Sequence, residues 1–154
     1  MKTSLLKKIF FAVAIAIIVI QFLQPAKNIS VTISTNAIDQ HYSVPKNVSA
    51  LLKTSCYDCH SNNTLYPWYN NVQPIAWLLS SHVNDGKKDL NFDEFNTYSI
   101  ERKKKKLTEI IETIDKSEMP LSSYTFIHSK AKLSKSQQKE INSWATALKE
   151  NLNQ

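Results

Sequence analysis

The feature that most constrains this chain is the cysteine pair in Cys56-Tyr57-Asp58-Cys59-His60. These are its only two cysteines, and a histidine directly follows the second. Cys-x-x-Cys-His is the attachment pattern of a c-type haem. Because the two thiols add to the two vinyl groups of one haem, they have to lie about one helical turn apart. The motif therefore predicts a helical segment with Cys56 and Cys59 as attachment points and His60 as the proximal iron ligand.

Three other uses of the cysteine pair compete with haem attachment. A thioredoxin-like redox pair needs a βαβ context, which the sequence does not indicate. A zinc site needs a second pair of ligands at short spacing, and the sequence has none. A structural disulfide between Cys56 and Cys59 remains open, although it does not explain the position of His60.

The composition favours helices over sheets. The chain has 154 residues, of which 42% are hydrophobic and 21% charged, as is typical of a globular protein. Gly86 is its only glycine, whereas β-sandwiches and barrels usually have more turn glycines. Together with apolar residues at helical spacing, this predicts one all-α domain with a single modest core.

The chain has a net charge of +6, but three of its lysines belong to the N-terminal segment, so the excess of positive charge in the remainder is mild. Such a mild excess argues against a nucleic-acid partner. It is compatible with an acidic redox partner or an anionic membrane surface. Five consecutive basic residues, Arg102 to Lys106, form either an ordinary solvated helix face or a docking patch for an anionic partner.

Residues 1–24 are expected to be a signal-anchor or transmembrane segment. Lys2, Lys7 and Lys8 precede or flank the start of an unbroken apolar run of 12 residues, Ile9–Ile20. This length is short for a spanning helix and typical of a signal peptide, but no suitable cleavage site follows. We therefore expect an inner-membrane anchor with the domain on the periplasmic side of the cell envelope. If the leader is cleaved, the protein is periplasmic or secreted.

Residues 25–44 are polar and are expected to be a tether, and residues 45–150 are expected to form the folded domain. Pro45 is suited to begin a helix that leads into the cysteine motif. Pro74 is suited to begin a second helix, which Gly86 is expected to end as a left-handed cap. The apolar face predicted for this second helix consists of Ile75, Leu78, Leu79 and His82.

A short helical turn is predicted over residues 91–96, a long helix over about 100–116, and a final helix after a Ser134-x-x-Gln137 capping box. The residues expected to form the buried stripe of the long helix are Ile100, Leu107, Ile110, Ile111 and Ile114. Those expected for the final helix are Ile141, Trp144, Ala145 and Leu148.

Met119 is the expected distal iron ligand. It is the only methionine after the initiator, and paired histidine and methionine ligands are the cytochrome c arrangement. His82 and His128 are alternative distal ligands, and Trp68 and Tyr69 are candidates to wall one side of the haem. Each of these residues also has an ordinary explanation, as a gap-filling methionine, a hydrogen-bonded core histidine or core aromatic rings.

Taken together, these motifs resemble the haem-binding domain of small exported bacterial proteins, a family related in layout to class I cytochromes c. The resemblance covers about Val44 to Leu148. The elements that carry it are Cys56-x-x-Cys59-His60-Ser61, Thr64-x-x-Pro67-Trp68-Tyr69, Pro74-Ile-x-Trp77, His82-Val83-x-x-Gly86, Leu90-Asn91-Phe92, Met119-Pro120-Leu121, Tyr124, His128, Ala131-x-Leu133-Ser134 and Trp144.

The resemblance implies a small all-α, cytochrome c-like domain around one covalent haem c. Cys56 and Cys59 would attach the haem, and His60 and Met119 would bind its iron. At position 87 the family is expected to have an arginine, and the lysine of this chain cannot make the planar bidentate contact of arginine with a haem propionate.

Two functions fit these expectations. The first is electron transfer with a redox partner protein, since an iron with two protein ligands has no open position; the protein would then be a carrier rather than an enzyme. The second is a peroxidase-like enzyme or small-gas sensor with an exchangeable distal ligand, for which His82 or His128 would act. A haem-free helical domain with a Cys56–Cys59 disulfide is a third alternative.

Overall fold

Helices make up most of the chain in the computed structural model, which describes the backbone of residues 2–152 and the side chains of residues 4–152. The α-helices are α1 (Lys2–Ile20), α2 (Ile38–His41), α3 (Lys46–Ser55), α4 (Tyr57–His60), α5 (Ile75–Asp89), α6 (Ile100–Asp115), α7 (Ser122–Ile127) and α8 (Lys135–Asn151). Short 3₁₀ helices span Trp68–Asn71, Phe92–Thr97 and Ser129–Ala131. No strand occurs in residues 2–152, so the prediction of an all-α fold is confirmed.

The core lies between α3, α6, α8 and the 3₁₀ helix Phe92–Thr97, and α6 packs mainly against α8. Apolar residues at helical spacing on α6 and α8 face each other there, as the sequence predicts. The fully buried core side chains include Leu52, Phe92, Phe95, Leu107 and Ile141. Ile100 was expected in the buried stripe of α6, but it is 51% exposed because it occupies the first position of the helix, beyond the contact with α8.

The helix after Pro74 differs from its prediction in length and in orientation. α5 continues through Gly86 to Asp89, and Gly86 has no positive φ, so it is not a left-handed cap. The buried residues of α5 are Ala76 and Val83, whereas Ile75 and Leu78 are exposed. α5 lies against α4, and the helix is therefore oriented by this contact and not by the predicted apolar face.

The N-terminal helix α1 exposes its apolar side chains. Its end is hydrogen-bonded to the segment before α5: the Gln21 side chain contacts the backbone of Gln73, and the Trp77 indole donates to the Leu23 carbonyl. Among the helices that the structure describes, none has the length and apolarity that crossing a membrane requires. The transmembrane segment predicted over residues 1–24 is therefore not confirmed.

The segment predicted as a tether, residues 25–44, lies against the domain. Ala37 and Ile38 are buried, and Ile38 belongs to the main core. The Asn28 side chain donates to the Ser61 carbonyl and to Thr64 Oγ1, both at 2.9 Å. These contacts arise from polar and small apolar residues without a clear period, which is why the sequence pattern did not indicate them.

Candidate functional site

The cysteine motif forms a single helical turn. α3 ends at Ser55, and the amides of Cys59 and His60 both donate to the Cys56 carbonyl, at 3.1 and 3.0 Å. The two cysteines are half-buried free thiols in the structure. Burial, followed by the neighbouring Cys59, raises the pKa of the Cys56 thiol to about 12. Burial, followed by Asp58, raises the pKa of the Cys59 thiol to about 11. Because both thiols are protonated at neutral pH, a reactive thiolate pair is disfavoured.

The His60 ring is held by the C-terminal end of α5. Its Nδ1 lies 3.0 Å from the Gly86 carbonyl oxygen and 3.0 Å from the Leu90 carbonyl oxygen. Carbonyl oxygens only accept hydrogen bonds, so Nδ1 carries the proton and donates to them. In the neutral ring Nε2 is then the unprotonated nitrogen, with a lone pair for a metal. This is the arrangement in which a histidine ligand has its tautomer and orientation fixed by its other nitrogen.

Gly86 allows this arrangement because it has no Cβ. A Cβ at this position would lie 2.6 Å from the Cys59 carbonyl oxygen and 3.0 Å from Cys59 Cβ. Real Cβ atoms do not approach a carbonyl oxygen that closely. The only glycine of the chain is therefore needed where α5 crosses α4, and not at a helix end.

Two adjoining cavities meet at the motif. We call them the Lys106 cavity and the His82 cavity, after a residue that lines only one of them. The residues that line both are Ser55, Cys56, His60, Asp89, Met119 and Pro120. The structure thus brings Met119 to the same cavities as Cys56 and His60, although 58 residues lie between it and His60 in the chain. Cys59 lines the His82 cavity.

The Lys106 cavity is mainly apolar. Besides the shared residues, its lining includes Leu52, Leu90, Phe92, Ile110, Ile114 and Leu133, all of which belong to the core. Ser55 lines both cavities, and its buried Oγ has no hydrogen-bond partner among the described residues. An unpaired buried hydroxyl of this kind indicates a bound group or water that the protein chain does not supply. Together with two thiols, an imidazole Nε2 and a thioether, this lining fits a haem.

Of the remaining predicted site residues, His82 lines one of the two cavities, whereas His128, Trp68 and Tyr69 line neither. His82 is half-buried and lines the His82 cavity. His128 lines neither of the two cavities, and its Nε2 shares a hydrogen bond of 2.6 Å with the Tyr69 hydroxyl. Trp68 is 79% exposed, and neither it nor Tyr69 lines these cavities. Their 3₁₀ helix packs against α5, and a role of these two rings beside the haem stays a prediction.

Lys106 is a site residue that the sequence did not single out. Within the basic run, Lys103 and Lys106 are buried, and Lys106 Nζ lies 2.6 Å from both Asp89 Oδ1 and Glu109 Oε2. Burial alone would lower the pKa of Lys106, but the hydrogen bonds to the two carboxylates raise it overall, so the side chain stays charged. The sequence feature that could have indicated their burial is the three-residue spacing between Lys103 and Lys106, which places both on one helix face.

Lys87, at the position where a haem-propionate contact was in question, does not line either cavity. Its Nζ donates to Asn28 Oδ1. The role of this lysine in the structure is therefore to fasten residues 25–44 to α5.

Asp58 and Tyr124 are a second pair that the sequence did not assign to the site. The Tyr124 hydroxyl donates to Asp58 Oδ2 at 2.6 Å, and Tyr124 lines the His82 cavity. Burial, followed by the hydrogen bond to Asp58, raises the pKa of Tyr124, so its hydroxyl remains a donor. The sequence does place Asp58 between the two cysteines, but this position alone does not indicate which residue Asp58 contacts.

A family model described as a haem-binding domain matches residues 15–147, which is more than half of the chain. Among curated proteins and solved structures nothing matches.

Replacing Gly86 by alanine is expected to destabilise the protein by about 1–3 kcal/mol, the usual cost of an overpacked contact. The added Cβ would force α5 away from the Cys59 carbonyl. The matched control is Asn84→Ala, at an exposed position of the same helix. Both changes improve helix propensity, so urea unfolding that shows G86A equal to or more stable than N84A would contradict the close approach.

Proposed function

This chain belongs to the haem-binding domain family and is thus a haem-binding protein, and from that premise we propose that it is a monohaem c-type cytochrome in electron transfer. One haem c would be attached covalently through Cys56 and Cys59. The observation that carries the proposal is the fixed His60 ring, whose Nδ1 donates to the Gly86 and Leu90 carbonyls. This arrangement leaves Nε2 of His60 available to bind iron, beside two thiols that lie about one helical turn apart. When bound, the haem supplies a one-electron iron couple.

Met119 supports the electron-transfer part of the proposal. It lines the same two cavities as His60, and its backbone is held at the end of α6, where the amides of Glu118 and Met119 donate to the Thr113 carbonyl at 2.8 and 3.2 Å. A thioether is a soft ligand that raises the reduction potential of a haem iron. If His60 and Met119 both bound the iron, the protein would leave no open position on it, which would favour electron transfer over binding of peroxide or gas.

The apolar core residues that line the Lys106 cavity exclude water from one side of the site. Lys106 keeps its charge there because Asp89 and Glu109 accept hydrogen bonds from it. Apolar surroundings of this kind would limit solvent access to a bound haem and so influence its reduction potential.

A second candidate function is a peroxidase-like enzyme or small-gas sensor with an exchangeable distal ligand. The observation that favours it is His82, which lines the His82 cavity together with Met119. A histidine in that place can serve as an acid–base group or an alternative ligand. His128 supports this function less, because its Nε2 is engaged by Tyr69.

For location and partners, we propose an export segment in residues 1–24 that anchors the protein in the inner membrane, with the domain on the periplasmic side. The lysines before the apolar run support this orientation, as does covalent haem attachment, which takes place outside the bacterial cytoplasm. The redox partner is proposed to be an acidic protein. Arg102 and Lys105 are the exposed members of the basic run that could contact it.

The choice between the two functions is tested by M119A. We expect loss of the sulfur-to-iron absorption band in the oxidised protein and ready binding of carbon monoxide to the reduced protein, because the iron would lose the ligand that Met119 is proposed to supply. The matched control is L121A, which shortens another lining residue of the His82 cavity without touching a sulfur. An M119A spectrum identical to the wild type would refute the ligand assignment, and ready carbon monoxide binding by the wild type would favour the enzyme or sensor.

The anchor is tested by fractionating cells that express the full chain. We expect the protein in the membrane fraction after an alkaline carbonate wash, and a variant that lacks residues 2–23 in the soluble fraction. A wild-type protein that is found in the periplasmic fraction, with a mature N-terminus after the apolar run, would show instead that the leader is cleaved.

A further inference from the structure

Helix α7 is held mainly by hydrogen bonds and not by hydrophobic packing. It directly follows Met119-Pro120-Leu121, and none of its side chains is fully buried. Its two large apolar residues at the C-terminal end, Phe126 and Ile127, are 89% and 61% exposed. Because so little apolar surface is removed from water, other contacts have to fix α7, and with it the segment that carries Met119.

The first of these contacts is the hydrogen bond from the Tyr124 hydroxyl to Asp58 Oδ2, at 2.6 Å. Asp58 is itself well fixed: its Oδ1 accepts from the Leu65 amide at 3.0 Å, and its backbone carbonyl accepts from Thr64 Oγ1 at 2.6 Å. Asp58 lies between the two cysteines. The bond therefore ties the Met119 segment to the turn that is proposed to carry the haem.

The second contact is made by His128, the residue after α7. Its ring stacks on Tyr124, with centroids 4.4 Å apart and planes at 17°, and its Nε2 shares a hydrogen bond of 2.6 Å with the Tyr69 hydroxyl. Tyr124 is thus held from both sides, by Asp58 at its hydroxyl and by His128 at its ring face. Of Tyr124 and His128, Tyr124 is the one that also lines the His82 cavity, which Met119 lines as well.

On its other side, the Met119 segment is fastened to α6 by the backbone bonds to the Thr113 carbonyl. Between Met119 and α7 lie only Pro120 and Leu121. A displacement of α7 therefore reaches Met119 through two residues, whereas the α6 side is held by the main chain and does not depend on any side chain.

We propose that Tyr124 is a positioning residue whose hydrogen bond to Asp58 holds Met119 in the cavity and sets how readily Met119 leaves the haem iron. The inference rests on the proposed function, in which Met119 is the distal ligand.

The variant Y124F tests this proposal, because it keeps the ring and its stack on His128 and removes only the donor. The matched control is Y66F, which removes a hydroxyl that accepts from the Asn28 amide at 2.7 Å and lines neither cavity. Each protein is studied as purified. Two quantities are compared: amide hydrogen exchange of residues 119–128, and the rate of carbon monoxide binding to the reduced protein.

We expect both quantities to rise about tenfold or more in Y124F, the factor that corresponds to the loss of one hydrogen bond to a charged group. The sulfur-to-iron band should weaken while the haem stays attached, and Y66F should leave all three readouts near the wild type. D58N is a second variant that weakens the same bond from its acceptor side, and it should shift the readouts in the same direction.

Two results would overturn the proposal. One is exchange of residues 119–128 in Y124F and D58N that equals that of Y66F. The other is an increase in exchange spread evenly over the whole chain, which would indicate a general loss of stability. If the wild type has no sulfur-to-iron band, the assignment of Met119 as ligand fails separately, and hydrogen exchange still decides whether Tyr124 holds this segment.

Discussion

The structure of the site depends on the hydrogen bonds from His60 Nδ1 to the carbonyls at the end of α5. The Gly86 carbonyl also accepts from the Leu90 amide at 2.9 Å, and the Leu90 carbonyl lies just past the helix end. Carbonyls at a helix C-terminus lack intrahelical donors and carry the negative end of the helix dipole. The His60 ring supplies the missing donor to the Leu90 carbonyl and a second donor to the Gly86 carbonyl. The same bonds fix its tautomer, the crossing of α4 and α5, and the direction in which Nε2 points.

This crossing explains why α5 has the composition it has. Gly86 faces the contact with α4, because a Cβ there would lie 2.6 Å from the Cys59 carbonyl oxygen. Ala76 and Val83 are the buried apolar residues of α5, whereas Ile75 and Leu78 are exposed. Helix α7 is held differently, by side-chain hydrogen bonds between segments that are far apart in sequence.

The parts of the fold that sequence could predict are those set by local chemistry. The turn that carries Cys56 and Cys59 and the Ser134–Gln137 capping box are both present, because each depends on residues within one helical turn. Gly86 was misread because a lone glycine fits a helix end as well as a helix crossing, and only the partner helix distinguishes them. Lys106 and Tyr124 could not be assigned because their partners, Asp89 and Asp58, lie 17 and 66 residues away.

The central claim is that one haem is joined covalently to the turn that His60 completes. The most direct measurement is the intact mass of the denatured full-length protein, produced in a bacterial host that exports it and attaches c-type haems, with a C56A/C59A variant as reference. The account predicts a wild-type mass that exceeds its polypeptide by one haem, and a variant without the addition. A wild-type protein that loses all its haem on denaturation would contradict the account.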